Sequence, residues 1–201
     1  ADAFFSDGVF DRISKWFYDP TIGAVGGTPN RSGKLPVEGV HRDLFTLIRT
    51  GESSYDSTPF LEGSLLAWRA GSVSSSDLYS TANADDAQIA TAVRLGGLRA
   101  IQDPELFFTD QMPTTIKGQR RQKVRRAQGL IRLLARKRKY WFSRREGRFS
   151  TILRRNAWMH LFSPIVMTGV AILAVLRNIT YLPDTMLMWW LSAFEVYMLL
   201  S

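Results

Sequence analysis

Apolar positions in the first 116 residues fall into short runs that switch between two spacings. Over residues 7–18, Val9, Ile13, Trp16 and Phe17 recur at helical intervals and so share one face. Asp7 stands before them as the expected N-cap. Asp19-Pro20 ends the helix, because a proline ring disfavours helical backbone at the residue before it. IGAVGG (22–27) is an unbroken small apolar run, the pattern of a short buried strand with glycines at its exit. TPNRSGKLP (28–36) has the composition of a loop. VEGVHRDLFTLIRTG (37–51) returns to helical spacing, with Val40, Leu44, Leu47 and Ile48 expected inward. FLEGSLLAWRA (60–70) reads as a strand in which Gly63 permits a close backbone approach, and SVSSSD (72–77) as a polar connection. ADDAQIATAVRLGG (84–97) is a helix closed by Gly96-Gly97, and LRAI (98–101) a short strand stopped by Asp103-Pro104. Helix and strand therefore alternate. That predicts an α/β layer over residues 1–116, with functional residues on loops at strand ends.

The pattern then changes. Over residues 118–139, Val124, Ala127, Leu130, Ile131 and Leu134 form a stripe with Arg and Lys around it, and KYWFSRREGRF (139–149) sets aromatics beside cations. A basic amphipathic segment of this kind, here 117–155, is expected to lie in a membrane interface. Residues 156–176 then run without a charge, long enough as a helix to cross a hydrocarbon core of roughly 30 Å. After a short turn, 185–201 begins a second apolar segment, with Glu195 as its one charge. Lys and Arg gather before the first span, so residues 1–155 are expected to be cytoplasmic and 177–184 outside. The chain opens on Ala without a signal-peptide pattern and stops inside an apolar run, as expected of a piece of a longer integral membrane protein.

Charge sharpens this division. Residues 117–155 carry 16 of the 26 basic residues and one acid, Glu146, whereas residues 1–116 carry 9 basic and 15 acidic residues. A nucleic-acid binder would not usually keep an acidic first half, and no motif supports one. With no cysteine there is no disulfide framework, thiolate metal site or cysteine nucleophile, and two histidines, His41 and His160, argue against a multi-histidine zinc site.

Three acidic spots are candidates for chemistry: Asp2, the pair Asp85-Asp86, and Asp110. The pair begins a helix, where acids also serve simply as partners of the helix dipole; the residues alone leave both readings open. The order of the pieces adds to this. ADAFFSDGVFDRISKWFYDPTIGAVGG resembles an Asp-x-Asp motif followed by a helix, Asp-Pro and a V-x-G strand. LEGSLLAWR resembles a G-x-x-x-A-x-R strand. ADDAQIATAVRLGGLRAI resembles an E-D-x-x-L…G-x-R helix and strand, with Asp85 for Glu. DPELFFTDQMP resembles a D-P…E-x-x-P run, with Asp110 for Glu. QKVRRAQG resembles Q-x-x-R-W-x-x-G: Gln122, Arg125 and Gly129 match, and Arg126 stands in place of Trp. In this order the motifs are similar to those of the membrane-attached family 2 glycosyltransferases, the group of cellulose, chitin and hyaluronan synthases.

The resemblance implies the second half of a GT-A (Rossmann-like) domain, then the interface helix and transmembrane helices. It implies an inverting, metal-dependent transfer of a sugar from a nucleotide-diphosphate donor to a glycan or lipid-linked acceptor at the cytoplasmic membrane face. The partners are then that donor, that acceptor and membrane lipids, with no nucleic acid. Asp2 would be an oxygen ligand of Mg²⁺ or Mn²⁺, which neutralises charge on the leaving diphosphate. Asp86 would be the general base and Asp85 would orient or tune it. Arg125 and Arg126 would pair with the diphosphate, Gln122 would hydrogen-bond donor or acceptor, and Gly63 and Asp110 would lie at the substrate. Arg126 in the place of a stacking Trp argues against long-polymer synthesis. The chain itself, without the nucleotide-binding half, is expected to be inactive alone; a non-catalytic accessory membrane protein that keeps the same fold is the alternative.

Overall fold

The structure is a computed structural model and describes residues 3–30, 36–79, 84–109 and 115–180. The side chains of 36–43, 116, 119 and 178–180 lie outside the described part, as do Asp2, Asp110 and the expected second span, 185–201. The chain divides into two compact units, residues 1–154 and 155–201.

The first unit contains a four-stranded mixed sheet in the order β1-β4-β2-β3. Its elements are β1 (Phe4–Phe5), α1 (Val9–Phe17), β2 (Ile22–Pro29), α2 (Pro36–Tyr55), β3 (Leu66–Trp68), α3 (Asp85–Leu95), β4 (Arg99–Thr109) and α4 (Ile116–Arg136), followed by the start of α5 (Gly147–Ala157). β2 runs parallel to β4, while β1 and β3 add antiparallel edges. As the parallel centre, β2 is buried from Ile22 to Thr28, which is why its sequence is an unbroken apolar run. One side of the sheet packs Val9, Ile22, Val25, Leu65, Ile101, Leu106 and Phe108 with the inner face of α1. The other packs Ala24, Leu61 and Ala100 with Ile89, Ala90 and Val93 of α3. A register shift between Ile22 and Ala24 lets Ile22 and Val25, three residues apart, share one face while Ala24 serves the other. α3 comes so close that a Cβ at Gly23 would lie 2.6 Å from Val93 Cγ1, so only glycine fits there.

Several expected elements are redrawn. The N-cap of α1 is Gly8, in a left-handed conformation (φ 76°), and not Asp7. Only Leu66–Trp68 of the 60–70 segment is strand, because Gly63 and Ser64 form a turn. β4 does not stop at Asp103-Pro104. Its partner in β2 advances from Gly26 to Thr28 while β4 advances from Gln102 to Phe107, so residues 103–106 bow out as a bulge. There a proline costs no ladder hydrogen bond. α2 has the expected period but another phase: Leu44 and Leu47 are exposed (53% and 70%). Its inner face is polar, with Ser53 Oγ accepting from the Gln102 amide at 2.9 Å. The apolar stripe of α4 is divided. Leu133 and Leu134 are buried, while Val124 and Ile131 are exposed. Its N-terminus is capped by Thr115, whose hydroxyl accepts from the Gly118 amide at 3.1 Å.

In the second unit a π turn, Trp158–Phe162, leads into α6 (Ser163–Thr180). Gly147–Arg177 is, among the described residues, the one helical stretch long and apolar enough to cross a membrane. The side chains of Ile165, Val166, Val170, Ile172, Leu173 and Leu176 are all exposed.

Candidate active site

A cleft of about 350 Å³ opens in the first unit where four pieces of chain meet. α2 contributes Arg49, the turn before β3 contributes Phe60 to Ser64, the start of α3 contributes Ala84 to Ala87, and α4 contributes Arg125, Arg126 and Leu130. Five of the residues singled out in the sequence, Gly63, Asp85, Asp86, Arg125 and Arg126, thus line one cavity. Gln122, partly exposed on α4, is not among its lining residues. Asp2 and Asp110 belong to the residues outside the described part.

Asp86 is the most constrained of these side chains. Its Oδ1 accepts from the Ala87 amide at 2.8 Å and its Oδ2 from the Gly63 amide at 3.1 Å. Each oxygen therefore has one backbone donor, which fixes the carboxylate plane and leaves lone pairs for a proton. Burial pushes the Asp86 pKa above the usual carboxylate range; the two amides and Arg126 oppose that, while Glu62 reinforces it. Asp85, its neighbour, is exposed. A Cβ at Gly63 would lie 3.2 Å from Asp86 Oδ2, so the turn needs glycine to come this close. The helix that carries the pair starts from Ala84 at φ 71°, the sole non-glycine residue with positive φ among those described. Such a conformation costs energy and collects at functional sites.

Two lining residues escaped the sequence reading. Arg49 Nη1 pairs with Glu62 Oε1, and both side chains are largely buried, 15% and 18% exposed. Arg49 Nε is buried without a hydrogen-bond partner among the described residues. The residues are 13 apart in sequence, on a helix and a turn, and no local pattern links them. The one usable signal was that Glu62 immediately precedes Gly63.

Away from the cleft, Asp103 is fully buried in the β4 bulge. It accepts from Arg12 Nε, from Arg12 Nη2 at 2.8 Å, from Trp16 Nε1 at 2.7 Å and from the Glu105 amide at 2.9 Å. Burial raises its pKa, but these donors outweigh burial and bring it below the usual range. The network ties α1 to the bulge. Glu146, the single acid of the basic segment, is also buried, with Oε2 at 3.7 Å from Arg94 Nη1. Arg94 in turn makes a two-point pair with Asp56, at 2.5 and 2.9 Å. Among the described residues no three His, Asp or Glu side chains cluster as a metal site would require.

No protein-family model and no curated protein sequence matches the chain. Among solved structures it is similar to the mannosyltransferase PcManGT from Pyrobaculum calidifontis in complex with GDP-Man and Mn²⁺, with a TM-score of 0.73 and 25% identity. The match covers 100% of this chain and 54% of the other, so this chain spans about half the length of that mannosyltransferase. The mixed α/β fold is thus one shared with a glycosyltransferase, and the protein that shares it was solved with a nucleotide sugar and a divalent cation.

Proposed function

We propose that this chain is the second half of the GT-A catalytic domain of a membrane-attached family 2 glycosyltransferase, with Asp86 as its general base. The observation that carries this reading is the Asp86 carboxylate itself: held by two backbone amides, raised in proton affinity by burial, and lining a cleft with two arginines. A base with raised proton affinity is better matched to an alcohol than an ordinary carboxylate is. The acceptor hydroxyl gives its proton to Asp86 as its oxygen bonds to the anomeric carbon. The bond from that carbon to the diphosphate breaks on the opposite face, and the diphosphate leaves with the electron pair. Attack and departure on opposite faces invert the anomeric centre. Arg125 and Arg126 offer guanidinium forks to the diphosphate, and both are exposed enough to reach it. Asp85 helps orient Asp86, Gln122 hydrogen-bonds donor or acceptor, and Asp110 contributes to substrate binding. Asp2 is a proposed oxygen ligand for Mg²⁺ or Mn²⁺, and such an ion, when bound, neutralises charge on the leaving diphosphate. On this reading the long apolar helix is the membrane span, the Lys and Arg before it put residues 1–155 on the cytoplasmic side, and the acceptor is a glycan or lipid-linked sugar.

In the full-length protein, Asp86→Asn removes the base while keeping the side chain's shape. Transfer from a screened panel of nucleotide sugars is expected to fall by about 10²- to 10⁴-fold, with donor binding retained. Undiminished transfer would sink the assignment.

A further inference from the structure

We propose that Arg49 and Glu62 are a positioning pair for Asp86: their ion pair pins the turn before β3 to α2, and the pinned turn sets where the carboxylate sits and what charge faces it. The proposal rests on the reading of Asp86 as the base. Three observations support it. The pair is largely buried, so its geometry is fixed and salt screens it little. Glu62 is joined to Gly63 by one peptide plane, so anchoring Glu62 also orients the Gly63 amide that donates to Asp86 Oδ2 at 3.1 Å. Among the described residues Asp86 Oδ1 is held by its own helix, through Ala87, and the turn is the anchor of the carboxylate that comes from another element.

The charges that face Asp86 come from every element around the cleft: Glu62 from the turn, Arg126 and Arg125 from α4, Arg49 from α2 behind Glu62, and Asp85 on its own helix. Glu62 disfavours a charged Asp86 and Arg126 favours it, whereas Arg49 acts on Asp86 through Glu62. Removing either member of the pair therefore has opposite consequences. Without the Glu62 charge, Asp86 loses its proton more easily; without Arg49, Glu62 faces it uncompensated and Asp86 keeps its proton longer.

The test is the pH profile of kcat/KM in the full-length protein. Glu62→Gln is expected to move the acid limb to lower pH by about half a unit or more, and Arg49→Met to move it to higher pH. The double variant Arg49→Met with Glu62→Gln should match Glu62→Gln alone, and it carries the test if Arg49→Met does not fold. The carbon-13 signal of the Asp86 carboxyl, identified by its loss in Asp86→Asn, should titrate with the same displacements and needs no substrate. Limbs that superimpose on the wild type, or single variants that move the same way, would overturn the pair. If Asp86→Asn keeps full transfer, the base assignment falls and takes the proposal with it. If Asp86→Asn is inactive and the limbs do not move, only the positioning pair is lost.

Discussion

Asp103 and Asp86 both lie in the first unit, and both are drawn from water, yet burial ends in opposite results. Asp103 is wholly enclosed, and its proton affinity is nevertheless below normal, because Arg12, Trp16 and the Glu105 amide all donate to it. Asp86 is less enclosed, and its proton affinity is above normal, because two neutral amides and an exposed arginine do not offset desolvation and the nearby Glu62. Depth of burial does not set the direction; the number and charge of the donors do. One acid has been given everything it needs as an anion and holds the fold. The other has been left short, and is therefore able to accept a proton.

The most drastic way to break this contrast is to neutralise each acid in turn. Asp86→Asn should cost about 10²- to 10⁴-fold in transfer and little in folding. The sign of its stability effect follows from linkage. A carboxylate whose folded pKa is raised adds stability below its unfolded value of about 3.9 and loses it as pH rises through the folded value. At neutral pH the charged Asp86 is a net cost that the variant removes, but Asn offers one oxygen to two backbone amides and so loses a hydrogen bond, about 1 kcal/mol or a few °C. The variant should melt within about 4 °C of the wild type at pH 7, and a drop as large as that of Asp103→Asn would contradict the account.

Asp103→Asn should do the reverse. A lowered folded pKa contributes stability above about pH 3.9 that is lost as pH falls through the folded value. Losing charge-assisted bonds from Arg12 is expected to cost about 3 kcal/mol, or a melting temperature lower by about 6–12 °C. Transfer measured well below that temperature should stay within a few fold of wild type. A thermal melt unaffected at pH 7 would mean that Arg12 and Trp16 find other partners at no cost.

Gly63→Ala is the next smaller step. The added Cβ would press on Asp86 Oδ2 at 3.2 Å and on Asp86 Cβ at 3.4 Å, so the carboxylate must shift by a few tenths of an ångström. Misplacement of a catalytic group on that scale is expected to lower kcat by about tenfold while binding of the donor is kept. An equal loss for Asp103→Asn would show that the site responds to general loosening and not to the placement of Asp86.

These contrasts also mark what could be read from the chain. Helical period was legible, since α1, α2, α3 and α4 fall where apolar spacing puts them. Phase was not. Leu44 and Leu47 keep the period of α2 and point outward, because α2 faces β4 through Ser53. Pro104 looked like a strand end because a sequence does not reveal that the partner strand will let it bulge. In the cleft, Asp85-Asp86, Gly63 and Arg125-Arg126 were visible because each belongs to a short motif. Arg49 and Glu62 were not, because their pairing exists only once α2 and the turn before β3 have come together.

The mildest change makes the sharpest comparison between the two acids. Arg126 is exposed, and its charge favours ionised Asp86 from across the cleft and not through a hydrogen bond. Arg126→Gln should therefore raise the pH of the acid limb of kcat/KM, by less than about one unit, because an exposed charge acts through a high effective dielectric. Salt separates this from the case of Asp103. In wild type, raising ionic strength should move the limb toward that of the variant, since screening removes what the mutation removes. The stability supplied by Asp103 should hardly change over the same range, because its partners touch it directly. If the limb moves on mutation but not with salt, Arg126 acts on Asp86 by contact instead of through its charge.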